Sequence, residues 1–292
     1  MIAKHLHFAA TIGLFCISSA TAELTLPHFF SDHMVLQQGK PVVIWGQADP
    51  NAEVKVSFAG ESATSTSGPD GAWKVTLKAP SARKDGAELS IASGDQSRTL
   101  KDVVVGEVWF ASGQSNMAWV VKSTHQAKQD IAAADHPGIR MFTAARTPAA
   151  EPQNDIKGSW QVSSPETAGK FSATGYFFAE KLHRELGIPI GIIHSSWGGK
   201  PVETFTSREA LASLPEGKKA LDQLDKAVEA YDPELAKKKL ERALTKYEAA
   251  QAASNGKPKA GRKRAAGKPV LQRNPAATEG RPAALYNGMI HP

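Results

Sequence analysis

Between Leu24 and Lys101 the apolar residues come in short bursts with polar turns between them. Met34-Val35-Leu36 and Val42-Val43-Ile44-Trp45 are compact apolar runs. Val54, Val56 and Phe58 alternate with polar neighbours, as do Trp73, Val75 and Leu77, and Leu89-Ser90-Ile91 adds another alternating piece. Alternation with period two marks strands with one buried face. Gly39-Lys40-Pro41, Asp49-Pro50-Asn51 and Pro69-Asp70-Gly71 supply the turns. The segment predicts a small antiparallel β-sandwich over residues 23–104, with no cluster of ionisable residues that marks chemistry.

After Asp102 the rhythm changes. Val103–Phe110 is nearly continuous apolar sequence, the pattern of a strand buried on both faces of a parallel sheet. Ser172–Leu186 has helical spacing, with Phe178, Ala179, Leu182 and Leu186 on the expected inner side and Gly187 as the stop. Pro189–Ile193 forms a second apolar strand leading into His194-Ser195-Ser196-Trp197-Gly198-Gly199. Strand, helix, strand predicts an α/β layer. From Leu211 to Gln251 the spacing is amphipathic and helical: Leu221, Leu224, Val228 and Tyr231 share a face, Asp232-Pro233 breaks and re-caps the chain, and Leu240, Leu244 and Tyr247 continue it. This predicts a helical hairpin inserted, with the loop after it, over about residues 208–282.

Charge sharpens the picture only once it is located. The formal net charge is +6. Lys257, Lys259, Arg262, Lys263, Arg264, Lys268 and Arg273 cluster in one Gly/Pro/Ala-rich stretch without an acidic neighbour, so the basicity belongs to a solvated loop and argues against a nucleic-acid partner. At the amino terminus, Lys4, an apolar stretch from Phe8 to Ile17 and Ala20-Thr21-Ala22 have the organisation of a secretory signal cut after Ala22. The apolar run is shorter than the roughly 20 residues a bilayer span needs. The expected destination is secreted or periplasmic, with no membrane association after cleavage. Cys16 is the single cysteine and leaves with that signal, so no disulfide is expected.

The chemistry concentrates after the two apolar strands, since ligands of open α/β sheets gather beyond strand carboxyl ends. Gly113-Gln114-Ser115-Asn116 would lift a hydroxyl out of the sheet, although Met117 stands where a nucleophile elbow has its second glycine. Gly198-Gly199 has no side chains to block a substrate, so its backbone N–H groups are free to face a developing oxyanion. On residues alone, a plain turn serine and a nucleophile both remain open.

The run Gly106–Met117 resembles the nucleophile block of the sialate O-acetylesterase family, secreted carbohydrate esterases of the SGNH hydrolase group. Ser195-Ser196-Trp197-Gly198-Gly199 is similar to its second block, Phe30–Gln37 to its amino-terminal sandwich, and Leu285-Tyr286-Asn287-Gly288-Met289-Ile290 to the segment leading into its third block. The resemblance implies an SGNH-hydrolase-like parallel sheet with helices over residues 105–292. It makes Ser115 the nucleophile, with its own N–H and that of Gly198 or Gly199 as the oxyanion hole, and gives Gln114 and Asn116 turn-shaping roles. The substrate it implies is an acetylated carbohydrate, hydrolysed without metal or cofactor. Lys200 departs from the small hydroxyl-bearing residue expected there. The family's activating Asp and His belong to a later block, so the chain is expected to be an amino-terminal portion lacking that block. His28, His33, His125, His136, His183, His194 and His291 carry no motif that places any of them beside Ser115. Two other readings stay open: an inactive member that binds glycans without cleaving them, and an interaction protein using the helical hairpin.

Overall fold

The computed structural model describes residues 22–253 and 267–292. The expected leader lies outside the described residues apart from Ala22, as do five of the seven basic-loop cations, Lys268 and Arg273 being the exceptions. No described helix is long and apolar enough to cross a membrane.

The described residues form ten strands: β1 (Val35–Gln37), β2 (Val42–Gln47), β3 (Glu53–Phe58), β4 (Glu61–Thr66), β5 (Ala72–Leu77), β6 (Arg83–Ser93), β7 (Gln96–Gly113), β8 (His136–Thr143), β9 (Trp160–Ser163) and β10 (Ile190–Ser196). The helices are α1 (Ser115–Ala118), α2 (Ala127–Ala132), α3 (Ala173–Leu186), α4 (Arg208–Ala212), α5 (Pro215–Glu229), α6 (Pro233–Ala253) and α7 (Ala284–Met289). One sheet runs β4-β3-β6-β7-β10-β8-β9, with β1 also paired to β7; β2 and β5 form a separate antiparallel pair. The fold is therefore a mixed sheet whose parallel part carries helices, with a small antiparallel sheet beside it.

The organising element is β7. Its first half pairs antiparallel with β6, and its second half pairs parallel with β10 from Glu107 to Gly113. It runs through residues 104–105, where the sequence pattern divides the chain, so sandwich and α/β layer share a strand and a core. Gly106 sits at the handover because a Cβ there would lie 1.9 Å from the Pro189 carbonyl oxygen. No side chain fits so close a backbone approach.

Next to that handover Asp102 has a left-handed backbone, φ 53°, which Asp tolerates better than most residues. Its carboxylate meets His33 Nδ1 at 2.7 Å and the Arg140 guanidinium at 3.1 Å. Arg140 also donates to the Asp102 carbonyl, and its side chain is 4% exposed. Burial pushes the Asp102 carboxyl up, but the His33 hydrogen bond and the Arg140 charge outweigh it and leave the group below its ordinary range. Burial likewise pulls the Arg140 pKa down, against the pull of Asp102. The cluster ties β7 to β8.

Two expectations about burial change. Val103, Val104 and Val105 are buried, but Trp109 and Phe110 are 44% and 51% exposed. Past the handover β7 is paired along one edge only among the described residues, and Trp109 instead stacks edge-on against Phe178 of α3 at 5.1 Å. On α3 the buried residues are Ala173, Gly175, Tyr176 and Ala179, while Phe178 and Leu186 are exposed. Apart from Tyr176 the inward residues are small because the helix packs close to the sheet: a Cβ on Gly175 would be 3.2 Å from Met141. Ser172 caps this helix by accepting from the Gly175 N–H, and left-handed Gly187 ends it.

Helices α5 and α6 follow each other as the sequence predicts, divided at Asp232, whose carboxylate accepts from the N–H groups of Glu234 and Leu235. They are not zipped along each other as a hairpin, however. Leu221 and Leu224 of α5 are buried, and α5 packs on α4 and the turn Pro275–Ala277. The apolar stripe of α6 is shallow, with Ala236 its one fully buried residue.

Candidate active site

Strands β7 and β10 end side by side, Ser195 opposite Ser112 and Ser196 opposite Gly113. The Trp197 N–H continues the pairing onto the Gly113 carbonyl at 3.1 Å. Gly113, with φ 137°, turns the chain out of the sheet into α1, and the Ala118 N–H closes the turn on the Gln114 carbonyl. Equal strand ends bring the two following segments together. A Cβ on Gly198 would lie 3.3 Å from Ser115 Oγ and 3.4 Å from its Cα, so Gly198 is the residue against the serine. Gly199, left-handed at φ 72°, has nothing within 4 Å of its missing side chain and faces open space.

Ser115, Gln114 and Asn116 are all exposed. The turn is held from behind: Thr174 Oγ1 of α3 donates to the Asn116 carbonyl at 3.0 Å, and Ser172 Oγ lies 3.4 Å from Met117 Sδ. Under the second loop, buried Ser195 donates to the Met289 carbonyl at 2.9 Å. Asn287 donates to the Ala149 and Ala150 carbonyls, and Gly288 passes so near Thr147 that a Cβ would be 1.9 Å from its carbonyl oxygen. The Asn-Gly-Met segment is thus the packing base of the loop bearing Gly198.

His194 lies beneath the site, 6% exposed, with Nε2 2.6 Å from Ser196 Oγ. Burial first, then the nearby Arg146 charge, pulls its pKa from 6.5 down to about 4, against a weaker opposite pull from the Met117 backbone. It is a neutral imidazole at physiological pH. His28 pairs with Asp155, His33 with Asp102, His136 with Glu180, His183 with the Ile188 carbonyl and His291 with the Gln153 carbonyl. Among the described residues no histidine is hydrogen-bonded to Ser115, and no group of three or more His, Cys, Asp or Glu could hold a metal.

Sequence reasoning missed Arg146. It donates to the Ser196 carbonyl at 3.3 Å and lies 5.9 Å from the Trp197 ring centre, with Lys200 Nζ at 5.2 Å from that same centre. Lys200, the departure from the family pattern, also reaches Glu279 at 3.7 Å. The two cations brace Trp197 next to Gly198. Arg146 follows β8, a strand whose apolar pattern is interrupted by the charge of Arg140, so no sequence signal pointed to it.

Comparison with known proteins shows what the chain as a whole resembles. The chain is 32% identical over 202 residues to a sialate O-acetylesterase from Rattus norvegicus, a match covering 63% of this chain and 37% of that protein. The sialate O-acetylesterase from Homo sapiens is 28% identical over 202 residues, with 63% of this chain and 39% of that protein covered. Over this stretch the chain is similar to sialate O-acetylesterases. Its fold is similar to the crystal structure of a carbohydrate acetylesterase from Xanthomonas citri, with a TM-score of 0.63 and 37% identity over 65% of this chain and 44% of that one. No family model matches. The chain spans less than half the length of each of these relatives.

Proposed function

We propose that this chain carries the serine nucleophile of a carbohydrate O-acetylesterase. The observation that carries the proposal is the meeting of Ser115 and Gly198 at the paired ends of two parallel strands. Ser115 Oγ attacks the carbonyl carbon of a sugar O-acetyl group, and the backbone N–H groups of Ser115 and of Gly198 or Gly199 face the tetrahedral oxyanion. The sugar hydroxyl leaves with a proton, and water then cleaves the acetyl-serine to acetate. Gln114 and Asn116 shape the turn. A serine hydroxyl needs a base to reach full rate, and Ser115 has no hydrogen-bonded histidine among the described residues. Acetylation of Ser115 is therefore expected to be slow and to register first as a covalent adduct. The same observation favours a second reading, glycan binding without cleavage.

The test is to incubate the chain and its Ser115→Ala variant with an activated aryl acetate and with an acetylated xylo-oligosaccharide. Intact mass and peptide mapping follow the adduct, and an acetate assay follows release. An acetyl group on Ser115 and loss of acetate release in the variant are expected. Release unaffected by Ser115→Ala, or a folded chain whose Ser115 is never acetylated, overturns the proposal. Met1–Ala22 supports export to a secreted or periplasmic destination, and a mature amino terminus at Glu23 is the check.

A further inference from the structure

A cleft of about 740 Å³ opens on the sandwich side of the molecule, between the β2–β5 sheet and the segment Gln153–Asp155. One wall is aromatic. Trp45 on β2 is half-buried, and Phe30 meets it edge-on, centroids 4.6 Å apart at 80°, which fixes the indole plane. Trp73 on β5 stands opposite Gly46 in the strand register. Gly46 makes room for it, since a Cβ there would lie 2.9 Å from the Trp73 ring. Trp73 is 3% exposed and its indole N–H is buried, so it backs the wall and Trp45 is the ring that faces the cleft.

The other wall is polar. Asp155 accepts from the His28 backbone N–H at 2.8 Å and holds His28 Nδ1 at 2.5 Å. That leaves His28 Nε2 without a protein partner among the described residues, on a side chain 56% exposed. Asn154, exposed beside it, spends neither its amide donors nor its acceptor on the described protein. An apolar wall facing a short row of donors and acceptors, of which His28 and Asp155 hold each other in place, matches a ligand with one C–H face and one hydroxyl edge. A pyranose ring with equatorial hydroxyls is such a ligand. The Asp155 carboxylate disfavours an anionic sugar, while its charge is already engaged by His28 and so does not call for a cationic ligand.

We infer that this cleft is a binding subsite for a neutral, equatorially substituted pyranose unit, stacked on Trp45 and hydrogen-bonded by His28, Asn154 and Asp155. The inference is independent of Ser115, because neither the cleft nor its ligand chemistry uses that residue. The test titrates the chain with xylobiose and cellobiose, by calorimetry and by following indole N–H resonances. Millimolar binding that shifts the Trp45 signal is expected. Trp45→Ala should weaken binding about tenfold or more, equivalent to about 1.4 kcal/mol. Asp155→Asn should weaken it several-fold, and Ser115→Ala should leave it unchanged. Trp45→Phe keeps an aromatic ring on the wall and guards against loss of fold, so it should bind more tightly than Trp45→Ala. Three results overturn the inference: no binding at tens of millimolar sugar, binding undiminished in Trp45→Ala, or shifts confined to Trp197 beside the serine.

Discussion

The mixed sheet and the α5–α6 segment both announce themselves by hydrophobic periodicity, yet they hold their apolar residues at different depths. On β7 three consecutive valines are sealed on both faces, and a buried arginine on β8 is satisfied by the same strand. On α6 a recognisable stripe buries one alanine fully. Periodicity tells which face of an element is apolar. How far that face is covered depends on what the rest of the chain brings to it, and only the sheet is flanked by other elements along most of its length.

The sharpest way to break the contrast is to remove one charged partner from each region. Asp102→Asn leaves the Arg140 guanidinium, 4% exposed, without its counter-charge, and should cost about 3 kcal/mol in chemical denaturation. In the helical region Arg208 holds Asp225 through two contacts of 2.9 and 2.8 Å, but the side chains are 46% and 56% exposed. Arg208→Ala should cost under about 1 kcal/mol. Equal losses would show that the two regions are equally well sealed and that the comparison is wrong.

His194 extends the contrast to pH. Its folded pKa, about 4, lies below its ordinary 6.5. Between those values the unfolded chain binds a proton that the folded chain does not, so stability falls as pH drops from about 6.5 to about 4, then levels off for this group. The full window is worth up to about 3 kcal/mol. Asp102 acts in the other range: its lowered pKa means its contribution is present above the ordinary carboxylate value and lost as pH falls below it. Urea denaturation across pH 4–7 should therefore show a slope that His194→Gln flattens and Arg208→Ala leaves alone. A slope unchanged in His194→Gln would assign it to other groups.

How much of this was legible in the sequence follows the same physics. The strands of the sandwich, α3 with its cap and stop, and the division of the later helices at Asp232 all follow from local pattern. So does the placing of the Ser115 turn directly after an apolar strand. The pairing of β1 with β7 rather than inside the sandwich, and the passage of β7 through both layers, depend on contacts distant in sequence. Strand β8 escaped because a buried arginine sits in its middle, and Trp109 and Phe110 misled because an apolar run does not reveal which edge of a sheet is paired. At the site, Ser115 and Gly198 could each be named, but not their distance. Arg146 could not be named at all.

A substitution at that meeting point should move the site more than the fold. Gly198→Ala places a methyl 3.3 Å from Ser115 Oγ, tighter than ordinary contact, so the exposed turn must yield by a few tenths of an ångström. Stability should change by under about 1 kcal/mol, while acetylation of Ser115 by an aryl acetate should slow about tenfold or more, since reactive geometry tolerates little displacement. Unchanged acetylation would detach Gly198 from the proposed oxyanion role.

The smallest effect on stability is expected from the largest deletion. Tyr231 Oη donates to the Gln272 carbonyl at 3.0 Å, so the chain leaves α5 and returns within about one side-chain length. Replacing Pro233–Leu271 with a flexible linker of about four residues spans that gap without strain, at up to about 3.5 Å per residue. The segment takes with it one fully buried side chain among the described residues, Ala236, whose loss forfeits little apolar burial. It leaves in place Leu221 and Leu224, which close α5 over α4 and the Pro275–Ala277 turn. Shortening the loop also reduces the entropy that closing it costs, by about 0.6 kcal/mol per halving of a flexible loop. The two terms oppose each other, and the deleted chain should unfold in one cooperative transition within about 1 kcal/mol of the parent. Loss of cooperativity, or a drop as large as that of Asp102→Asn, would mean that α6 belongs to the core and that its shallow stripe understates what it holds together.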